Sequence, residues 1–198
     1  MRKVQDYYFK KAKKEKYPAR SVFKLEEVQG KYRIFRRGDA VLDLGCHPGS
    51  WSLYASKVVG PKGLVVGVDL QETTSEPKEG GAIIHWLCRD IMEPELISDL
   101  RKIRPAFKAV ISDIAPKTMG NRWADHQRSM RLVEQSLEFA EELLHPKGHY
   151  LCKLFQGEEM PEFVARLKPR FNFVKVIKPQ SSRKESREVF VLGMEYRK

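Results

Sequence analysis

Four aspartates stand at or just past the ends of apolar runs. Asp43 lies in Ala40-Val-Leu-Asp-Leu-Gly-Cys-His-Pro-Gly-Ser-Trp51, and Asp69 closes Leu64-Val-Val-Gly-Val-Asp69. Asp90 follows the apolar run 82–87, and Asp113 follows 109–112. Carboxylates after successive strands, with Gly45 and Gly49 in the first turn, can grip a nucleoside. Asp69 is placed to accept from two ribose hydroxyls, and Asp90 from an exocyclic amine. The dinucleotide fingerprint G-x-G-x-x-G is absent, because the glycines are spaced Gly45-x-x-x-Gly49 with Pro48 between them. A pyrophosphate needs free backbone N–H groups at a helix start. Pro48 removes one, and the acids repel phosphate. A cationic or zwitterionic nucleoside suits this rim, and S-adenosylmethionine is one.

The elements that must position these acids alternate. Strands are expected at Ala40–Leu44, Leu64–Asp69, 82–87, 109–112, 149–155, Phe171–Ile177 and 188–194, with helices at Ser50–Val59, 94–103, 123–144 and 161–168 between them. This spacing predicts an α/β, Rossmann-like fold: a seven-stranded, mostly parallel sheet with helices on both faces. No helix separates the last two strands, so strand 7 should run antiparallel. Ligands bind outside the carboxyl ends of such strands. A helix is expected at 19–32, with Ser21 as its N-cap and Val22, Leu25 and Val28 on its apolar stripe. Lys24 is off that stripe and reads, on periodicity alone, as a surface lysine. Two parts are expected: a basic N-terminal extension, 1–35, and a catalytic domain, 36–198.

The 198 residues carry a net charge of +11, unevenly spread. Residues 1–37 hold 13 Lys/Arg against 4 Asp/Glu, and residues 166–198 hold 10 against 3, leaving the centre at −5. Basic ends around an acidic centre imply a polyanion held by both termini. In 1–18, lysines interleave with Tyr7, Tyr8, Phe9 and Tyr17, a pattern that can neutralise phosphates and stack on bases, or pack on the domain. Lys10, Lys11, Lys13, Lys14 and Arg20, with Arg183, Lys184 and Arg187 of the loop 179–187, are the candidate RNA contacts. Cys46, Cys88 and Cys152 are expected as buried core residues, and neither they nor the five histidines suggest a metal. No membrane span or signal peptide is read, so a cytoplasmic protein is expected.

Four further segments carry a family resemblance. They are Ser21-Val-Phe-Lys-Leu-Glu-Glu27, Ser112-Asp-Ile-Ala-Pro116, Lys153-Leu-Phe-Gln-Gly157 and Ser181-Ser-Arg-Lys-Glu-Ser-Arg-Glu-Val-Phe190. With the loop at 43–51 they resemble the FtsJ/RrmJ family of RNA ribose 2′-O-methyltransferases, from about residue 19 onward. The resemblance implies a catalytic set of Lys24, Asp113, Lys153 and Glu188. It implies S-adenosylmethionine contacts at Gly49, Trp51, Asp69, Asp90 and Asp113, beside the neighbouring Asp43, Gly45 and Ser50. The chain departs from the family at His47 and Ser50 in the loop, and at Lys117. Its size resembles the bacterial type, which methylates a uridine of large-subunit ribosomal RNA. That implies an RNA partner in the large subunit, no metal, and a monomer. A transfer-RNA or cap methyltransferase, or a non-catalytic RNA-binding module, are the alternatives.

The four positions also make sense without the family. Asp113 lies just past strand 4, Lys153 inside strand 5, and Glu188 at the start of an antiparallel strand 7. All three fall on one edge, to which the extension would bring Lys24. Lys153 stands in the apolar run Tyr150-Leu-Cys-Lys-Leu-Phe155, where a charge is rarely buried without a role. It could serve as the general base for the hydroxyl or as a fixed cation.

Overall fold

The computed structural model describes every residue except 1, 117–119, 121 and 184, and describes the backbone alone at 2–6, 122, 123 and 125. The elements are α1 (Arg2–Lys14), α2 (Val22–Tyr32), β1 (Ala40–Leu44), α3 (Ser50–Val59), β2 (Leu64–Asp69), β3 (Ile83–Cys88) and α4 (Leu96–Ile103). They continue as β4 (Phe107–Ser112), α5 (Arg122–Leu143), β5 (Leu144–Phe155), α6 (Met160–Leu167), β6 (Phe171–Ile177) and β7 (Glu188–Tyr196). The sheet order is β3-β2-β1-β4-β5-β7-β6. β7 inserts between β5 and β6 and is antiparallel to both. Chain order reverses between β1 and β4, so the crevice for a ligand opens at their carboxyl ends.

The period of two in each strand divides the core. Leu42, Leu44, Val110, Tyr150, Cys152 and Leu154 pack under α4, α5 and α6. Val41, Val65, Ala109, Ile111, Leu151, Phe190 and Leu192 pack under α2 and α3. Asp43 and Lys153 fall in the alternation on the second side. The loops after β1 and β4 approach so closely that a Cβ at Gly45 would stand 2.8 Å from the Ile114 Cα, and Gly45 has φ +77°. No other residue type fits there without moving the switch point.

Several expectations are corrected. Residues 2–14, for which no helix was expected, form one, with Tyr8 and Ala12, one turn apart, turned inward. Ala12 and Tyr17 are buried with Val22, Phe23 and Leu53, whereas Tyr7 and Phe9 are about 60% exposed. Ser21 makes no side-chain cap bond. β5 begins at Leu144 rather than at 149 and β4 at Phe107 rather than at 109, and their pairing is irregular between Phe107 and Ala109. Cys46 and Cys152 are buried, but Cys88 is exposed at the end of β3, its thiol directed at the Leu70 carbonyl. Among the described residues no helix is long and apolar enough to cross a membrane.

Candidate active site

The β4, β5 and β7 ends build the first half of the site. Lys153 is 6% exposed. Its Nζ donates to the Asp113 carbonyl at 2.6 Å and lies 3.1 Å from the Asp113 Oδ1. In the antiparallel register Lys153 faces Phe190 and Phe155 faces Glu188. Glu188, two residues from Phe190, therefore shares the Lys153 face. Its carboxylate accepts from Lys24 Nζ at 3.1 Å. Burial by itself would raise the Glu188 pKa. The charge and hydrogen bond of Lys24, then Lys153 and Ser186, outweigh that and hold it below the ordinary value. The two lysines and two acids thus meet at one edge, as expected.

Lys24 arrives there because the 43–51 loop grips the extension. The Ala19 N–H donates to Ser50 Oγ at 2.7 Å, and Trp51 Nε1 donates to the Ser21 carbonyl at 2.9 Å. Trp51 packs on Phe190 with ring centroids 5.7 Å apart, and Lys24 Nζ lies 5.5 Å from the centre of the Phe190 ring. A second clamp comes from Glu27, one helical turn beyond Lys24. Its carboxylate accepts from the Gln180 and Ser181 N–H groups at 2.7 and 2.9 Å, which fixes the loop leading into Glu188. Glu27→Ala is expected to lose about 1–2 kcal/mol of stability, since charge-assisted bonds carry ~1.5–3 kcal/mol and this pair is partly solvated. It should also speed tryptic cleavage at Arg183 and Arg187. Unchanged unfolding and cleavage would show that the clamp does not hold the loop.

Beside this cluster lies a cavity of about 460 Å³. Of the expected cofactor residues, Gly45, Asp69, Asp90 and Asp113 line it, and Asp43, Gly49, Ser50 and Trp51 do not. Asp43 is fully buried beneath the loop, where its carboxylate accepts from Ser52 Oγ at 2.6 Å. Gly49 has φ +103°, and a Cβ there would crowd Thr73 and Trp86, so it shapes the turn. Ser50 and Trp51 are spent on the extension. Asp69 is oriented by the His47 and Gln71 N–H groups, at 3.0 and 2.8 Å. A carboxylate has about four acceptor positions, so both oxygens can accept again. Asp90 accepts from the Met92 N–H at 2.9 Å.

The sequence reading did not single out the apolar lining: Val68, Leu70, Ile91, Ile114 and Leu132. Nor did it single out Arg89, whose guanidinium is engaged by Glu93 and Asp99. The only available signal was position: most of these residues neighbour the strand-end acids, but Leu132 comes from mid-α5. With its arginine already paired, the cavity presents acceptor carboxylates and apolar surface, a lining suited to a cationic nucleoside.

The basic candidates divide. Lys10, Lys13, Lys14, Arg183 and Arg187 are exposed, and Arg187 also donates to the Gln156 carbonyl at 2.7 Å. Lys11 turns inward, 3.2 Å from Glu26 and over the Phe23 ring. Arg20 is half-buried near the Ser181 carbonyl. Lys184 lies outside the described residues, as does Lys117. Arg20, Lys24, Arg183 and Glu188 line a groove that contains the Lys24–Glu188 pair.

The FtsJ-like methyltransferase family model matches residues 17–196. A Desulfotalea psychrophila protein named ribosomal RNA large subunit methyltransferase E is 61% identical over the whole chain and 98% of its own length. A Syntrophobacter fumaroxidans protein of the same name is 48% identical, covering 98% of each. The fold is shared with a crystal structure from Plasmodium falciparum described as a ribosomal RNA methyltransferase. Its TM-score is 0.76 at 24% identity, over 91% of this chain and 98% of that one. On the strength of the family match and the full-length relatives, this chain belongs to the FtsJ-like methyltransferases.

Proposed function

We propose that this protein methylates the ribose 2′-hydroxyl of a uridine in large-subunit ribosomal RNA, using S-adenosylmethionine, and that it does so as a monomer in the cytoplasm. The observation that carries this reading is the pairing of Lys153 with Asp113 and of Lys24 with Glu188 at one sheet edge, beside an acidic cavity. The ribosomal substrate is suggested by the names of the full-length relatives.

Asp69 and Asp90 would hold the ribose and base of S-adenosylmethionine, with Val68, Ile91, Ile114 and Leu132 around the ring. When bound, that group supplies an electrophilic methyl carried by a sulfonium. Asp113 faces both the cavity and Lys153. The Asp113 carbonyl accepts one N–H of Lys153, and the Asp113 carboxylate lies 3.1 Å from the same nitrogen, which holds Lys153 Nζ beside the cavity. An amine there presents a lone pair to the 2′-hydroxyl, so Lys153 takes the proton as the general base. Glu188 anchors Lys24 at the groove, where the ammonium meets the RNA backbone. Lys10, Lys13 and Lys14 on α1, and Arg183 and Arg187 on the β6–β7 loop, extend that basic surface.

Incubation with labelled S-adenosylmethionine and separate pools of large-subunit, small-subunit and transfer RNA tests the reading. Label should enter large-subunit RNA alone and map to a uridine 2′-oxygen. Label in transfer RNA would overturn the substrate assignment. Absence of both transfer and cofactor binding would overturn the catalytic one.

A further inference from the structure

The opposite pole of the sheet carries a second basic surface. α2 ends at Tyr32, capped by Arg33 in the left-handed region at φ +50°. The chain then runs through Ile34 and Phe35, both buried, to Arg36 and Arg37 before entering β1. Two buried apolar residues between three exposed arginines fix the backbone and leave the guanidinium groups on the surface. Arg33, Arg36 and Arg37 line a groove of about 670 Å³ with Tyr54 and Val58. None of the three guanidinium groups has an ion-pair partner among the described residues. The neighbouring acid, Asp39, accepts from the Arg36 backbone N–H at 2.6 Å.

The surface continues along the amino ends of the strands. His149 is held down to about 4 by burial first, then by the charge of Lys108, with Arg36 adding to it and Glu195 opposing. The charges of Arg36 and Lys108, from different elements, thus both act on His149. Lys108 in turn donates to the Lys147 carbonyl at 2.7 Å. Arginines of the α2–β1 connection and lysines of β4 and β5 thus share one pole, with Asp39 and Glu195 as the acids that face it.

We infer that this arginine groove is a second RNA-docking site, which takes the phosphate backbone of a helix distant from the methylated nucleotide. The inference rests on the RNA reading given above. Lys24 and Arg33 lie nine residues apart on α2, or about 14 Å along a helix axis. The five residues of β1 separate the two poles by a similar ~16 Å. The groove at Lys24 and the arginine groove thus open at opposite ends of the parallel strands. The occupant is therefore a separate segment of a large folded RNA. Guanidinium forks match phosphate geometry bidentately, and Tyr54 supplies an aromatic wall.

The test compares the wild-type chain with Arg33→Gln/Arg36→Gln/Arg37→Gln on purified large-subunit ribosomal RNA. The variant should bind that RNA about tenfold more weakly at ~0.15 M salt, with the salt slope reduced by roughly two to three, just under one for each phosphate no longer neutralised. KM for RNA should rise, while kcat at saturating RNA, S-adenosylmethionine affinity and unfolding temperature stay unchanged. Unchanged RNA affinity and salt slope would overturn the inference. So would retained RNA affinity with lost binding to anionic vesicles or to acidic ribosomal proteins. A wild-type chain that methylates no RNA would instead defeat the functional reading.

Discussion

Lys153→Ala is expected to lower methyl transfer by about 10³-fold or more while leaving S-adenosylmethionine affinity within a few-fold of wild type. General bases contribute ~10²–10⁴ in rate, which is about 3–5 kcal/mol of barrier. The cofactor affinity should persist because Lys153 does not line the cavity and reaches it only through Asp113. Single-turnover rates and equilibrium binding, measured on the same preparation, separate the two effects. Transfer within tenfold of wild type would remove Lys153 from the chemistry. Lys153→Arg decides what kind of role it has. An arginine stays charged throughout the accessible pH range, so it can replace a fixed cation but cannot accept a proton. The base assignment therefore predicts that Lys153→Arg is as inactive as the alanine variant. It also predicts a wild-type rate that rises with pH towards a plateau. An active arginine variant with a flat profile would reassign Lys153 as a fixed cation.

Much of the site was legible because two simple periodicities govern it. Asp43 near the end of β1, Asp69 at the end of β2, and Asp90 and Asp113 just past β3 and β4 follow from the alternation of strand and helix. The bounds of β1, α3, β2 and β6 fall where the apolar patterns place them. Lys153 stood out because a charge inside an apolar strand needs a reason. Lys24 did not, because a helix stripe predicts which residues face the core and says nothing about what crosses over from β7. Only the motif resemblance selected it, and its partner Glu188 lies 164 residues away. The same limit explains Ser50 and Trp51. The family resemblance implied a cofactor contact at Trp51 and its neighbour Ser50, but their hydrogen bonds run to Ala19 and Ser21, long-range contacts that no local pattern encodes. In α1 the lysines dominated the reading and obscured the inward pair Tyr8 and Ala12.

These contacts bring the extension to the edge where Asp113, Lys153 and Glu188 meet. Ser50 and Trp51 hold the start of α2 from the loop side, and Glu27 holds it from the β6–β7 side. Lys24 lies between the two clamps. The buried aromatic pair Trp51 and Phe190 fills the space beneath it, so the position of the ammonium is set by packing as well as by Glu188. The basic surface and the chemistry are consequently joined through one helix: α2 carries Lys24 near its start and Arg33 at its cap.

Asp43 gives the second large effect, and it concerns stability rather than turnover. Burial raises its pKa from 3.8 to about 7. The Ser52 hydrogen bond opposes that shift, and the charges of Asp113 and Asp69 add to it. The folded state thus holds a proton that the unfolded chain has released above about pH 4. Between the two values the native state binds more protons, so stability falls as pH rises and levels off above about 7. At about 1.4 kcal/mol per unit, Asp43 should remove about 3 kcal/mol between pH 5 and pH 8. Asp43→Asn can still accept from Ser52 but cannot ionise. The stability lost from pH 5 to pH 8 should therefore be about 3 kcal/mol smaller in the variant than in wild type, whatever the asparagine costs at a single pH. Groups that titrate elsewhere in the chain contribute equally to both proteins and cancel in the comparison. Urea unfolding of each protein at the two pH values measures the difference directly. Parallel losses in the two proteins would mean that Asp43 is ionised in the folded state throughout, with its second oxygen satisfied by a group other than Ser52.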